Sequence, residues 1–163
     1  MTRLRGDLDR PCRIGVVSDT HGRMDEDALA RLEGVDAILH AGDIGRPTVL
    51  DLLATVAPVM AVRGNVDVQP WAFDLPWVRL EEVCGHRVLL GHIRESLVGG
   101  RKPAEEGIDI VVFGHSHRPL EERVGGVLYL NPGSVGPRRF GLPRSLALLT
   151  LSEGGAESEI VIL

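Results

Sequence analysis

Residues 12–22 read CRIGVVSDTHG. The run is β-branched and apolar up to Val17 and then turns abruptly polar, as a buried strand does where it runs out into a loop. Outward from it, DEDALARLEG (25–34) has Leu29 and Leu32 three apart, acids in the first turn and Gly34 at its end, which predicts a short helix. VDAILHAGD (35–43) reads as a second buried strand. RPTVLDLLATVA (46–57) reads as a helix with Pro47 near its start, and PVMAVRGN (58–65) as a third strand. A β-α-β-α-β order implies parallel strands joined by helical crossovers.

The pattern changes after residue 70. WVRLEEVCGHRVLLGH (77–92) predicts two strands around a tight turn at Gly85–His86, and KPAEEG (102–107) is long enough only for a short helix. IDIVVFGH (108–115) is another buried strand. PLEERVGGVLYLNPG (119–133) and SLALLTLSEGGAESEIVIL (145–163) predict hairpins around Gly125–Gly126 and Gly154–Gly155. A βαβ front half and a back half of antiparallel strands predict an α/β fold of two sheets packed face to face with helices outside. The whole of 1–163 is expected to form one domain, with residues 1–11 as a loose leader.

Bulk composition narrows the function. Eighteen basic against 23 acidic residues give a net charge of −5, which excludes stable non-specific nucleic-acid binding, since that needs a positive field. No apolar run approaches the roughly 20 residues that span a bilayer. The charged start MTRLRGDLDRPCR is no signal peptide, so the cytoplasm is the expected compartment. The two cysteines, Cys12 and Cys84, lie outside any CxxC spacing; in a reducing compartment they are expected as small buried hydrophobes rather than a disulfide.

The strand ends carry the chemistry. The first ends in SDTHG (Asp19, His21), the second in HAGD (Asp43), the third in RGNVD (Asn65, Asp67). RVLLGH ends in His92, and IVVFGH in His115 with His117 beyond. Successive steps are 22 residues from His21 to Asp43, 22 to Asn65, 27 to His92 and 23 to His115, each about a strand plus its return. Every circuit of the chain can therefore deliver one polar group to a common sheet edge, where α/β folds gather ligands. Singly, Asp19 reads equally as a helix cap, Asp43 and Asn65 as turn residues, and a lone histidine as a core residue. Jointly they read as a metal site. Burying two imidazoles side by side, as at His115 and His117, is costly unless both are bound. Carboxylate, carboxamide and imidazole donors without thiolate suit Mn²⁺ foremost, or Fe²⁺, Co²⁺, Ni²⁺ or Zn²⁺. Seven donors are too many for one such ion and about right for two sharing a carboxylate, an arrangement that can hold a bridging hydroxide and clamp a phosphoryl group.

The ordered set DTH, GD, GN, GH, GHSH resembles the calcineurin-like metallophosphoesterase superfamily, over roughly residues 13 to 136. The short chain without an inserted cap and NPGS at 131–134 resemble its small bacterial and archaeal phosphodiesterases, relatives of the retromer subunit Vps29. The resemblance implies a four-layer α/β/β/α sandwich of two mixed β-sheets flanked by helices, and two divalent metal ions. Asp19, His21 and His117 would bind one ion; Asn65, His92 and His115 the other; Asp43 would bridge. Asp43, Asn65 and His92 would then carry the catalysis. Where close relatives often read HGH, this chain reads GHIR, leaving Arg94 in place of a second histidine, free to contact substrate phosphate.

Other residues are weaker candidates. Asp67 is expected to accept hydrogen bonds that support the site, or to be a plain turn aspartate. His40, in a buried strand, is expected in the core or behind the ligands. NPGSVGPRRFG (131–141) is expected to offer free backbone amides, with Asn131 and Ser134 near the phosphate. WAFDLPW (71–77) is expected to cover a sheet edge, or to present a partner surface. The favoured reading is a metal-dependent phosphoesterase, most of all a phosphodiesterase, acting on a small phosphate ester. Monoester against diester stays open, as does homo-oligomerisation. The alternative is a non-catalytic scaffold of the Vps29 kind.

Overall fold

The computed structural model describes residues 10–163 in full, together with the backbone of Arg3 and Leu4. Among the described residues eleven strands form two mixed sheets: β1 Arg3–Leu4, β2 Cys12–Val17, β3 Ala37–His40, β4 Val59–Ala61, β5 Val78–Val83, β6 His86–Gly91, β7 Ile110–Val112, β8 Leu120–Val124, β9 Val127–Asn131, β10 Ser145–Ser152 and β11 Gly155–Ile162. Three helices join them: α1 Glu26–Arg31, α2 Pro47–Ala54 and α3 Arg94–Val98. One sheet runs β11-β10-β2-β3-β4 and the other β1-β5-β6-β7-β9-β8.

Alternation along the strands sets the layers. Ile14, Val16 and Leu39 of the first sheet meet Val88, Leu90, Ile110, Val112 and Leu130 of the second in one buried core. The opposite faces point outward. Val17 and Ile38 pack under Ala28 and Leu32 near α1 and under Val49 and Leu53 of α2. Leu89, Val111 and Tyr129 pack under Leu97 of α3 and Ile108. The result is the expected α/β/β/α sandwich. Helix α1 starts where Asp25 accepts from the Ala28 amide, a cap that satisfies one of the free N–H groups of the first turn.

Both predicted crossover helices form, and β2-β3-β4 run parallel. The back half departs from the antiparallel expectation. The pairs β5/β6, β8/β9 and β10/β11 are antiparallel, but β6, β7 and β9 run parallel to one another. The connection from β6 to β7 passes outside the sheet through α3, which the sequence reading missed, and β8 returns the chain so that β9 can lie beside β7. KPAEEG forms turns rather than the expected short helix. The final hairpin does not join the back-half sheet; β10 pairs antiparallel with β2.

The loose leader expected over 1–11 lies mostly outside the described residues. Within them, Arg3 and Leu4 pair parallel with β5, and Arg10 meets Asp36 at 2.7 Å. The two cysteines are not separate thiols: a disulfide joins Cys12 at the start of β2 to Cys84 in the β5–β6 turn. The reason is the layering, since face-to-face sheets bring two Cα atoms 72 residues apart in sequence to 6.4 Å. The aromatic loop does cover an edge. The Pro76 carbonyl accepts from the Arg63 amide beyond edge strand β4, and the Arg63 guanidinium lies over the exposed rings of Phe73 and Trp77. Among the described residues no helix is long and apolar enough to cross a membrane.

Leu90 is fully buried between the sheets. Leu90→Ala should lower unfolding free energy by about 2–5 kcal/mol, the usual result of truncating a core leucine. Urea denaturation followed by circular dichroism reads this, and a shift under about 0.5 kcal/mol would mean that the intersheet core is not cooperative with the fold.

Candidate metal centre

Parallel strands put their C-terminal ends on one edge. In the first sheet β2, β3 and β4 deliver Asp19, Asp43 and Asn65 there; in the second, β6 and β7 deliver His92 and His115. Backbone pairing continues past the strands. The amides of Asp19, His21 and Gly22 donate to the carbonyls of Gly42, Asp43 and Ile44, and the Gly114 amide donates to the His92 carbonyl. Five of the seven non-glycine residues with left-handed φ among the described residues are Asp19, His21, Asp43, His115 and His117. Such backbone costs of order 1–3 kcal/mol per residue and persists where the surroundings over-determine it. Here the pairing between loops does so.

Two glycines let the loops approach. A Cβ at Gly64 would fall on the Asp43 carboxylate and amide, and one at Gly114 on the Ser18 hydroxyl and the Asp19 carboxylate. Only a residue without a side chain fits between them.

The side chains then converge. Asp19, His21 and His117 offer ligand atoms within 4.8 Å of one another, as do Asp43, His92 and His115. Asp19 Oδ1 lies 3.3 Å from His117 Nε2, 3.8 Å from His21 Nε2 and 3.9 Å from His92 Nε2. Asp43 Oδ2 lies 3.2 Å from His92 Nε2 and 3.7 Å from His21 Nε2, between the two groups. The nearest ring nitrogens of His21 and His117 are 3.4 Å apart. Asn65 and the exposed His115 line the same cleft, about 410 Å³ in volume, with Arg139 and Phe140 on its far rim.

Hydrogen bonds fix which atoms face inward. His92 Nδ1 lies 2.7 Å from the Ala41 carbonyl and donates to it, which turns Nε2 toward Asp43. Asp19 Oδ2 accepts from the Ser18 hydroxyl at 2.7 Å and from the His115 amide at 3.0 Å. Asp19 Oδ1 and His92 Nε2 are buried and have no hydrogen-bond partner among the described residues. Orphaned polar atoms of this kind cost free energy wherever they occur. A cation among them removes that cost, and the oxygen and imidazole donors suit a divalent ion.

The electrostatics agree. Burial alone would push the Asp19 carboxyl up, but the nearby imidazoles of His117, His21 and His92 and the Ser18 hydroxyl hold it well below the usual carboxylate range. Asp43 is lowered too: burial opposes, while His92 and the Val66 amide stabilise the carboxylate. Burial works against protonating His92, yet Asp43 and Asp19 raise it.

Behind the ligands lie two supporting residues, Asp67 and His40. Asp67 is buried and is no plain turn residue: its carboxylate accepts from the amides of Ile44, Gly45 and Gly64, tying the loops after β3 and β4 together. His40 is fully buried and is not a ligand. Its Nδ1 accepts from the Gly42 amide, so Nε2 carries the proton and bonds Thr20 Oγ1, which donates onward to the Ile44 carbonyl. Burial pushes its pKa down to about 4, so it is uncharged at neutral pH.

Three expected substrate contacts are placed differently. The Ser134 hydroxyl is buried and donates to the Asp19 carbonyl. Asn131 is buried, with its carboxamide donating to the Gly114 carbonyl and Ser116 Oγ and accepting from the Gly133 amide. The amides expected to be free are engaged, Val135 with the Ser18 carbonyl and Gly136 with that of Asp19. Arg94 does not line the metal cleft; it stands in a neighbouring cavity. The sequence reading missed Ser18, Thr20 and Ser116, whose only signal was a hydroxyl beside each ligand motif.

The cluster of carboxylates and imidazoles where the two sheets meet is a candidate metal centre. Comparison with known proteins agrees. Residues 12–154 match the calcineurin-like phosphoesterase superfamily domain. A probable metallophosphoesterase of Methanothermobacter thermautotrophicus is 34% identical over 158 residues, 91% of each chain. The phosphodiesterase YfcE of Escherichia coli is 36% identical over 100 residues, 56% of this chain and 52% of YfcE. A solved archaeal phosphodiesterase superimposes with a TM-score of 0.77 at 23% identity, over 93% of this chain and 99% of its own. The chain belongs to the calcineurin-like phosphoesterase superfamily.

Gly114→Ala places a methyl group where the Ser18 hydroxyl and Asp19 carboxylate now meet. Purified Gly114→Ala should bind Mn²⁺ at least about tenfold more weakly, as loss of ligand support typically does. Titration of metal into chelator-treated protein measures it; unchanged affinity would show that the Asp19 position is not critical to the site.

Proposed function

We propose that this chain, as one domain, is a dinuclear metal-dependent phosphodiesterase of the cytosol, with Asp19, His21 and His117 holding one divalent ion, Asn65, His92 and His115 the other, and Asp43 bridging. The observation that carries it is the pair of orphaned buried atoms, Asp19 Oδ1 and His92 Nε2, set among the further nitrogen and oxygen donors of His21, Asp43, Asn65, His115 and His117, with no thiolate. That donor set suits a borderline divalent ion such as Mn²⁺, Fe²⁺, Co²⁺, Ni²⁺ or Zn²⁺, and we take Mn²⁺ as the first choice. Asp43 bridges because its carboxylate stands between His21 and His92.

Two such ions supply a nucleophile at neutral pH and charge stabilisation at phosphoryl oxygens. The chain's own residues do the rest. Asp19 and Asp43 provide the negative charge that holds cations in a buried place. The Ala41 carbonyl and the His115 amide orient His92 and Asp19. Asn65 is exposed and lines the cleft, where its carboxamide would hold one ion and help orient the phosphate, and His115 lines the same space. The cleft opens between Val66 and Phe140 and adjoins a second cavity beyond the His115–Ser116 turn, leaving room for substituents on both sides of a phosphate, which favours a diester. The sequence likeness to YfcE, named a phosphodiesterase, supports the same choice.

Chelator-stripped protein should hydrolyse bis(4-nitrophenyl) phosphate only after Mn²⁺ is restored, and faster than the matching monoester. If metal binds but neither ester is cleaved between about pH 6 and 9, a window around the lowered pKa of metal-bound water, the scaffold reading replaces this one.

Elemental analysis separates the ligand roles: Asp43→Ala should lose both ions, whereas His92→Ala should mainly weaken one. Asn65→Ala should keep its fold and lose about 10- to 100-fold in kcat. Asp43→Ala protein that retains two ions per chain would remove the bridge.

A further inference from the structure

A second cavity lies next to the metal cleft. It measures about 240 Å³ and shares His115 and Ser116 with the cleft, so the two spaces meet across one turn of chain. Two guanidinium groups line it, those of Arg94 and Arg118, against one carboxylate, that of Glu95.

Arg94 is held in place. Its guanidinium carbon lies 4.7 Å from the centre of the Tyr129 ring and 5.3 Å from that of Phe113, and Nη1 meets Glu122 Oε2 at 3.2 Å. Stacking on two rings fixes the plane of the fork and lowers the entropy lost when it takes an oxyanion. One edge is engaged by the partly exposed Glu122; the remaining N–H groups stay available to the cavity. Arg118 stands on the turn that separates the two spaces, its amide tied to Ser116 Oγ, which in turn accepts from Asn131. A buried carboxamide therefore anchors the turn that carries Arg118. The chain as a whole is acidic, at −5, and here two arginines meet Glu95 and Glu122, with Arg94's pairing to Glu122 using only one edge of its guanidinium.

We propose that this cavity is a second anion subsite, which binds a further phosphate on the substrate, so that the preferred substrates are small phosphodiesters bearing an additional phosphate group. The inference rests on the phosphodiesterase reading for the position of the scissile phosphate. A planar guanidinium fork matches phosphate in two-point fashion, and Arg118, also lining the cavity, adds a second positive charge. Glu95 limits the site to one such group and tunes its strength.

Two pairs of probes test it on Mn²⁺-loaded protein. The first pair is thymidine 5′-(4-nitrophenyl phosphate) with and without a 3′-phosphate. The second is the unreactive pair thymidine 3′,5′-bisphosphate and thymidine 5′-monophosphate, compared by calorimetry. The added phosphate should lower KM, and tighten the unreactive ligand, by about tenfold in the wild type, the scale of one charge-assisted contact pair. Arg94→Gln and Arg118→Gln should each bring that ratio toward one, whatever they do to kcat. Arg118 is exposed, so its variant should fold even if Arg94→Gln does not. A wild-type ratio of one, or a ratio the variants leave unchanged, overturns the subsite. If neither nitrophenyl ester is cleaved but the bisphosphate still binds more tightly through Arg94 and Arg118, the hydrolase reading fails and the subsite stands.

Discussion

One buried carboxylate holds the site together. Asp19 leaves β2 in a left-handed conformation, and every polar atom it carries except Oδ1 is engaged by a different part of the chain. Its amide donates to Gly42 after β3, and its carbonyl accepts from Ser134 and Gly136 after β9. Its Oδ2 accepts from Ser18 and from the His115 amide after β7. The residue therefore joins loops of both sheets at the edge where their strands end. A buried charge is costly unless matched, and the hydrogen-bond donors around Asp19 do not match it fully. The remaining oxygen points at His117, His21 and His92. The geometry asks for positive charge where the two sheets meet, and the fold supplies the imidazoles that bring it.

This dependence explains why strain gathers at one end of the molecule. A left-handed residue in a free loop would relax. At Asp19, His21 and Asp43 it cannot, because the loops after β2 and β3 are paired amide to carbonyl beyond the strands, and because Gly64 and Gly114 let neighbouring segments close to contact. The intersheet core of Ile14, Val16, Leu90 and Val112 anchors the strands from which those loops spring. Stability held in the core offsets local cost at the site, which is the usual division between scaffold and function.

What was legible in the sequence follows from the same physics. Strand-end residues of ligand type recur at about one strand-plus-return spacing, so Asp19, His21, Asp43, Asn65, His92, His115 and His117 could be read off as a group, and the structure brings them to one edge. The predicted βαβαβ half stands because its apolar periods are local signals. The parallel run β6-β7-β9 was hidden, since strand direction depends on a five-residue helix, α3, and a returning hairpin that carry no strong pattern of their own. Asn131 and Ser134 were misplaced for a related reason. NPGS looks like an exposed amide loop, yet it is drawn under the loops after β2 and β7 by hydrogen bonds to Asp19 and Gly114 that no local pattern encodes. The Cys12–Cys84 link likewise depends on sheet packing rather than spacing.

The supports behind the ligands show how the chain fixes a charged centre without adding charge beside it. His40 stays neutral because it is fully buried and because Gly42, donating to Nδ1, dictates its tautomer; its proton then orders Thr20 and, through it, the loop that carries Asp43. A cationic residue in that place would compete with an incoming ion for Asp19 and Asp43. The Asp67 carboxyl group accepts from three backbone amides, so it acts as a clasp between the loops after β3 and β4 and not as a rival ligand. Neutral or internally satisfied groups thus set the positions, and the unsatisfied ones face the cleft. That separation lets a loop edge keep two acids and four imidazoles within reach of one another, with Asp19 Oδ1 and His92 Nε2 left for a metal.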